Sequence, residues 1–309
     1  LSFVDSVRGA DFLARSLRRA LEVGEPTRVA RSLAYEACFV SNRGMGAQAK
    51  AEARLASARA IARERDDEYL RALCLGAECI VLFHGAEWSR SAAAAERGEA
   101  LFSAQPIGLQ REVSSVRFFW AVTQALLGRF DALGARLPDL VRNARERGDI
   151  FSLVNLRSGF PNLLWLARGD LPRARREASE AMRDWPQSGF HVQHFCDLYA
   201  RVGHELYAGE AEQALAVTRA HWRDYERSLL SRIQFIRATC VALRARAFLA
   251  AATARSWRRA ARLREVRRAA KALRAEGVEW ARAMAAALDA GATRLRDPAA
   301  AVSLYAEAA

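Results

Sequence analysis

Apolar residues recur at spacings of three and four along almost the whole chain, and short polar breaks interrupt the runs. Phe12, Leu13, Leu17, Ala20 and Leu21 mark a helix over residues 6–23, which Gly24-Glu25-Pro26-Thr27 ends while capping the next one. Val29, Leu33, Ala37 and Val40 give a helix over 28–40. After a loop at 41–46, Ala51, Leu55, Ala58 and Ala62 form one face of a helix over 47–65. The same pattern predicts further pairs: 68–84 with 88–102, 111–127 with 130–147, 149–167 with 171–185, 192–208 with 211–227, and 229–253 with 257–274. A helix over 280–295 and a last short one close the series. Pro161 falls inside an apolar run, and its missing N–H and fixed φ predict a bend or break near Phe160.

The pairs repeat. Taking Gly44, Ala86, Gly128, Gly169, Gly209, Arg255 and Arg296 as equivalent turns gives steps of 40 to 46 residues, with most close to 41. Such a period marks an array of helical hairpins in which each unit buries its apolar face against its neighbours. Five residues after these turns stand Ala49, Ser91, Leu133, Ala174, Ala214, Ala260 and Ala301, nearly all small. A small side chain there lets the second helix approach the first closely.

Recurrent glycine turns followed by a small residue early in the second helix resemble the tetratricopeptide family, although the unit is longer than its usual ~34 residues. The resemblance implies an all-α fold, a right-handed α-solenoid of about seven antiparallel hairpins. Three stretches carry a second likeness: G-E-P-T-R-V-A-R-S-L-A-Y-E-A from Gly24, N-L-R-S-G-F-P-N-L-L-W-L-A-R-G-D from Asn155, and G-F-H-V-Q-H-F from Gly189. They resemble the C-terminal repeat region of large, mainly myxobacterial proteins that join a serine/threonine kinase domain and an ATPase module to helical repeats. That likeness implies a non-catalytic interaction or sensor scaffold whose kinase and nucleotide chemistry lies upstream. On this reading residues 1–27 are an N-terminal helix and linker to the upstream domains, and 28–309 are the repeat array.

Composition agrees with a helical array. Of 309 residues 51% are hydrophobic, enough for a continuous core, while 18 Gly and 7 Pro are too few for a strand-and-turn protein. Arginine supplies nearly all of the net charge of +13, since Lys50 and Lys271 are the only lysines. Charge of that size speaks to association and to acidic partners rather than to fold. Cys38, Cys74, Cys79, Cys196 and Cys240 lie scattered in apolar runs, a pattern expected of buried thiols in a reducing, cytoplasmic setting. The chain opens on Leu1 without a signal-like segment, which predicts a piece of something longer. The least charged long window, 233–253, still carries Arg237, Arg244 and Arg246, so no membrane span is expected.

In a hairpin solenoid the first helices line the concave face, and polar residues there are candidates for a partner-binding groove. Arg117, Asn155, Arg157, Asn162, His194, Tyr199, Arg232 and Arg237 fit that description, with a protein or peptide, or the chain's own upstream domains, as the expected occupant. A second candidate is the stretch 255–274, with nine basic residues and one acid, Glu265. As a helix it turns Leu263, Val266, Ala270 and Leu273 to the core and leaves Arg255, Arg258, Arg259, Arg262, Arg267 and Arg268 as a basic face. Such a face would suit nucleic acid phosphates, anionic lipid or an acidic protein, though no nucleic-acid motif accompanies it.

Other chemistry is thin. Gly44-Met45-Gly46-Ala47-Gln48-Ala49-Lys50-Ala51 is similar to a phosphate loop, but Ala49 and Ala51 stand where glycine and a hydroxyl residue belong, and an inter-helix loop accounts for it. His191, His194, Cys196 and His204 are spaced so that only the first two can share a helix face, too few ligands for zinc; capping of a helix start is the plainer role. The seven tryptophans mostly fall at turns or on apolar stripes, as packing residues do. No catalytic residue, metal or cofactor is implied.

Overall fold

The computed structural model describes residues 6–104, 109–254 and 258–308. Among them every regular element is helical, and the chain divides into two compact units, Leu1–Leu164 and Trp165–Ala309. In the first unit α1 (Ser6–Val23), α2 (Pro26–Ser41), α3 (Gln48–Glu64), α4 (Glu68–His84), α5 (Trp88–Ser103), α6 (Gln110–Leu126), α7 (Phe130–Glu146) and α8 (Ile150–Arg157) each pack on the next. A short α9 (Leu163–Ala167) follows at the division. The second unit runs through α10 (Leu171–Arg183), α11 (Val192–Tyr207), α12 (Ala211–Arg227), α13 (Gln234–Ala254), α14 (Arg259–Ala275), α15 (Glu279–Arg294) and α16 (Pro298–Ala308), again neighbour on neighbour.

Alternate helices behave differently. In the first unit α2, α4, α6 and α8 also touch one another in sequence, as do α11, α13 and α15 in the second, forming one lateral layer per unit. The helices between them bury a narrower stripe, such as Leu133, Leu137, Leu140 and Ala144 of α7. Layer helices are buried on more sides: α4 hides Leu70, Leu73, Cys74, Ala77, Cys79 and Val81. A strict amphipathic period therefore fades in α4, α6 and α13, which meet neighbours on both flanks.

The recurrent glycine-then-acid signature has a local physical cause. Gly169 takes φ +73°, a conformation that costs a side chain about 1 kcal/mol or more and costs glycine nothing. That turn lets Asp170 N–H donate to the Trp165 carbonyl at 2.8 Å, closing one helix, while Asp170 Oδ1 accepts from Arg173 N–H at 3.0 Å and opens the next. Asp67 and Asp149 repeat the double duty, accepting from Leu70 and Ser152 N–H at 3.0 Å each. Ala86 takes the same left-handed turn at φ +61° without the glycine, and Glu87 N–H closes the helix on the Leu82 carbonyl at 2.9 Å.

Of the small residues expected at the close approaches, Ser91, Ala174, Ala214 and Ala301 are buried, as is the larger Leu133. Ser91 Oγ donates to the Cys79 carbonyl at 2.8 Å, tying α5 to α4. Ala49 and Ala260 are exposed instead. A single 3₁₀ turn, Met45–Ala47, delays α3, so its first buried residue is Gln48 and its apolar stripe starts at Ala51. Before α14 the left-handed turn residue is Arg258, and the buried position five on is Leu263; Arg255 and Trp257 lie outside the described residues.

The break expected at Pro161 is present. Helix α8 ends at Arg157, Ser158 is extended and Gly159 has φ +61°. Asn162 Nδ2 donates to the freed Arg157 carbonyl at 2.8 Å, which satisfies one acceptor the break releases.

Candidate functional site

The structure assigns most of the expected groove residues to internal work. Asn155, Arg157 and Asn162 are buried around the α8 break. Arg117 of α6 donates through Nε to Glu99 Oε1 of α5 at 2.8 Å and through Nη1 to Asn143 Oδ1 of α7 at 2.8 Å. Arg136 pairs with the other Glu99 oxygen and stacks 4.6 Å over the Trp120 ring, so one buried carboxylate joins three helices. Arg237 of α13 holds Glu276 in a two-point pair, 2.7 Å at each contact, and also donates to the Ser231 carbonyl at 3.2 Å. Such forked pairs are geometrically specific, so Arg237 fixes the end of α14 against α13. Tyr199 is half-buried, and burial raises its phenol above the ordinary range. Arg232 is exposed on a 3₁₀ turn. Polar residues on the layer helices thus have packing reasons to exist, contrary to the sequence expectation.

The histidines cap a helix. His191 backbone N–H donates to His194 Nδ1 at 3.1 Å at the start of α11, and the His194 ring stacks on Phe190. Burial, with His191 and His221 nearby, lowers the His194 pKa. Cys196 lies buried on another side, and His204, buried three turns on, is pushed down to about 4 by desolvation and by Arg175 and Arg201. Among the described residues no three His, Cys, Asp or Glu side chains are grouped to hold a metal ion. The glycine-containing stretch at Gly44 is the turn between α2 and α3, with a helix rather than a strand before it.

The basic helix is divided between two roles. Arg262 is inside: Nη1 donates to the Ala251 carbonyl at 2.5 Å and Nη2 to Glu212 Oε1 at 2.6 Å, linking α14 to α13 and α12. Half-buried Arg259 donates to the Ala252 carbonyl at 3.0 Å. Both were expected on the solvent face; they lie where α14 meets the C-terminal carbonyls of α13, which favour cations. The exposed side instead carries Arg258, Arg264, Arg267, Arg268 and Lys271, with Arg268 paired to Glu265 at 2.7 Å.

A pocket of about 240 Å³ opens on α12 and α13, lined by Leu215, Thr218, Arg219, Trp222, Arg223, Arg244 and Phe248. The α12 residues fall at three- and four-residue spacing, so they share one face. Leu215 is wholly buried, and Thr218 spends its hydroxyl on the Ala214 carbonyl at 2.8 Å, which leaves an apolar floor. Arg244 reaches from α13 to lie 4.3 Å over the Trp222 ring and 5.5 Å from the Phe248 ring. Trp222 Nε1 donates to Glu226 Oε1 at 2.6 Å, fixing the indole. Among the described residues Arg219, Arg223 and Arg244 have no carboxylate partner, whereas Arg175, Arg237, Arg262 and Arg274 of the same unit each have one. The site therefore offers cationic N–H donors around an apolar floor, the equipment for holding an anion joined to an apolar group.

Sequence reasoning missed this site because Trp222 read as a packing residue and Arg244 as a charge interrupting an apolar run. The signal was there in Arg219, Trp222 and Arg223 at i, i+3 and i+4, and in Arg244 and Phe248 one turn apart. No helix among the described residues is long and apolar enough to cross a membrane. Compared with protein-family models, with curated proteins and with solved structures, the chain matches none.

Proposed function

We propose that this chain is a non-catalytic protein-interaction or sensor scaffold, a cytoplasmic helical-repeat region that binds a protein or peptide partner. The observation that carries this reading is the lateral layer made by every second helix in each unit, α2, α4, α6 and α8 and then α11, α13 and α15. Side-by-side repetition of that kind builds extended surfaces rather than one enclosed centre. Turn residues at Gly128, Gly169 and Gly209, each held at positive φ, support a period near 41 residues, and the tetratricopeptide resemblance extends the proposal to a right-handed winding. The three quoted sequence likenesses extend the proposal to the regulatory region of a bacterial serine/threonine kinase and ATPase fusion protein.

The test is a selection of random peptides displayed on phage against the whole chain. A scaffold enriches a shared sequence whose synthetic peptide binds saturably at one site per chain. A selection that stays flat, or peptides that bind without saturation, would contradict the reading.

A nucleic-acid-binding role for α14 is the second reading, favoured by the exposed run of Arg264, Arg267, Arg268 and Lys271 at helical spacing. It requires affinity for an oligonucleotide to fall steeply with salt, roughly one power per neutralised phosphate. Salt-insensitive or absent oligonucleotide binding excludes it.

A further inference from the structure

We propose that the pocket on α12 and α13 docks an acidic protein segment, inserting one apolar side chain between flanking carboxylates. The proposal rests on the scaffold reading and gives it a partner chemistry. Size argues first: at about 240 Å³ the pocket falls below the ~300–1,000 Å³ usual for whole small-molecule ligands, so a single side chain is the natural occupant. Leu215 and the Trp222 and Phe248 rings supply the apolar contact for that side chain.

Charge complementarity then selects its neighbours. Arg219 and Arg223 stand one turn apart on α12, both exposed, and Arg244 faces them from α13. None of the three has a carboxylate partner within the described residues, so their charge is available to a ligand. The carboxylate on the neighbouring turn, Glu226, holds the Trp222 indole N–H. Carboxylates on either side of an inserted residue would meet these guanidinium groups in charge-assisted hydrogen bonds.

The same geometry disfavours a nucleobase. Sequence-tolerant binding of single strands needs an open aromatic face on which a base can stack. Here Arg244 already lies over one face of Trp222 at 4.3 Å, which blocks stacking of a base on that face and leaves apolar side-chain contact and N–H edges for a ligand. Trp and Arg in one partly enclosed pocket are also the residue types that dominate binding energy in protein interfaces.

The experiment is fluorescence anisotropy of a dye-labelled peptide with glutamates on both sides of a single leucine, titrated with the 309-residue chain. Saturable binding is expected, weakened about tenfold or more when Arg223→Glu reverses one pocket charge. Replacing the central leucine by alanine is expected to weaken it by about tenfold as well, because the apolar burial is lost. Arg176→Glu on α10, an equally exposed charge reversal outside the pocket, is expected to leave affinity within about twofold. Equal losses from Arg223→Glu and Arg176→Glu would reduce the effect to bulk charge and overturn the proposal. No binding up to about millimolar peptide would overturn it too, as would displacement of the peptide by oligothymidylate. Display-selected peptides that bind and ignore Arg223→Glu would overturn the pocket assignment while leaving the scaffold reading in place.

Discussion

Arg262 separates the structure from the surface reading of its sequence most sharply. Its side chain is 6% exposed, donates to the Ala251 carbonyl and Glu212 Oε1, and thereby joins three helices. Glu212→Ala removes the carboxylate paired with Arg262 and leaves a nearly enclosed cation on the Ala251 carbonyl. Unpairing a fully buried ion costs about 3–5 kcal/mol. Glu212 is 41% exposed, so water screens its side of the pair, and the expected loss shrinks to about 1.5 kcal/mol. For a unit of this size that lowers the thermal midpoint by about 3–6 °C. Adding Arg262→Met to Glu212→Ala removes the stranded charge but keeps the packing of the stem, so the double variant should be more stable than Glu212→Ala alone. Thermal unfolding followed by circular dichroism reads the midpoints, and hydrogen exchange of α13 and α14 amides locates the loss. The reasoning fails if Glu212→Ala stays within about 0.5 kcal/mol of wild type, the behaviour of a solvated surface arginine.

Ala86 holds a left-handed turn at φ +61° that glycine holds at equivalent places, so Ala86→Gly should stabilise the chain by about 0.5–1 kcal/mol; a lower urea midpoint would contradict the turn strain. Desolvation pushes His84, packed against Phe83 and Phe119, down to about 4, and His204 to about 4 as well. Between pH 6.5 and 4 the unfolded chain then binds protons that the folded chain refuses, so stability falls as pH drops through that window, by about 1–3 kcal/mol per histidine. His84→Phe should flatten the pH dependence of the midpoint there, and an unchanged slope would contradict a desolvated neutral imidazole at this half-buried position. Burial pushes the Cys38, Cys79 and Cys196 thiols to about 12 and Cys74 to about 11, and raises Cys240 further. At pH 8 iodoacetamide should therefore label the native chain far more slowly than the urea-unfolded chain; comparable rates would contradict it.

Helix positions were legible because stop signals are chemical: glycine at positive φ followed by an acid closes one helix and caps the next, as at Gly169-Asp170. The register was less legible where the turn changed type. The 3₁₀ turn after Gly44 leaves Ala49 exposed, so counting five residues from the turn failed there, whereas the apolar period had already marked Ala51, Leu55, Ala58 and Ala62 as the inner face. Burial of polar residues was illegible for a different reason. Arg117, Asn155, Arg237 and Arg262 read as surface groups because a sequence shows charge and hides the partner, and Glu99, Glu276 and Glu212 lie 18, 39 and 50 residues from the arginines they bind. The α12 and α13 pocket was missed on the same ground, since the lack of partners at Arg219, Arg223 and Arg244 is a property of space.

The account rests on helices that lean on their chain neighbours and on the next helix of the same layer. Removing α15 and α16 tests this directly, because α13 and α14 touch α15 whereas α11 and α12 pack on α13 and on each other. Hydrogen exchange by mass spectrometry is expected to show α13 and α14 losing protection while α11 and α12 stay within about threefold of the full chain, as nearest-neighbour stability requires. Equal loss of protection across α11, α12, α13 and α14 would show one interlocked core instead, and would contradict the account.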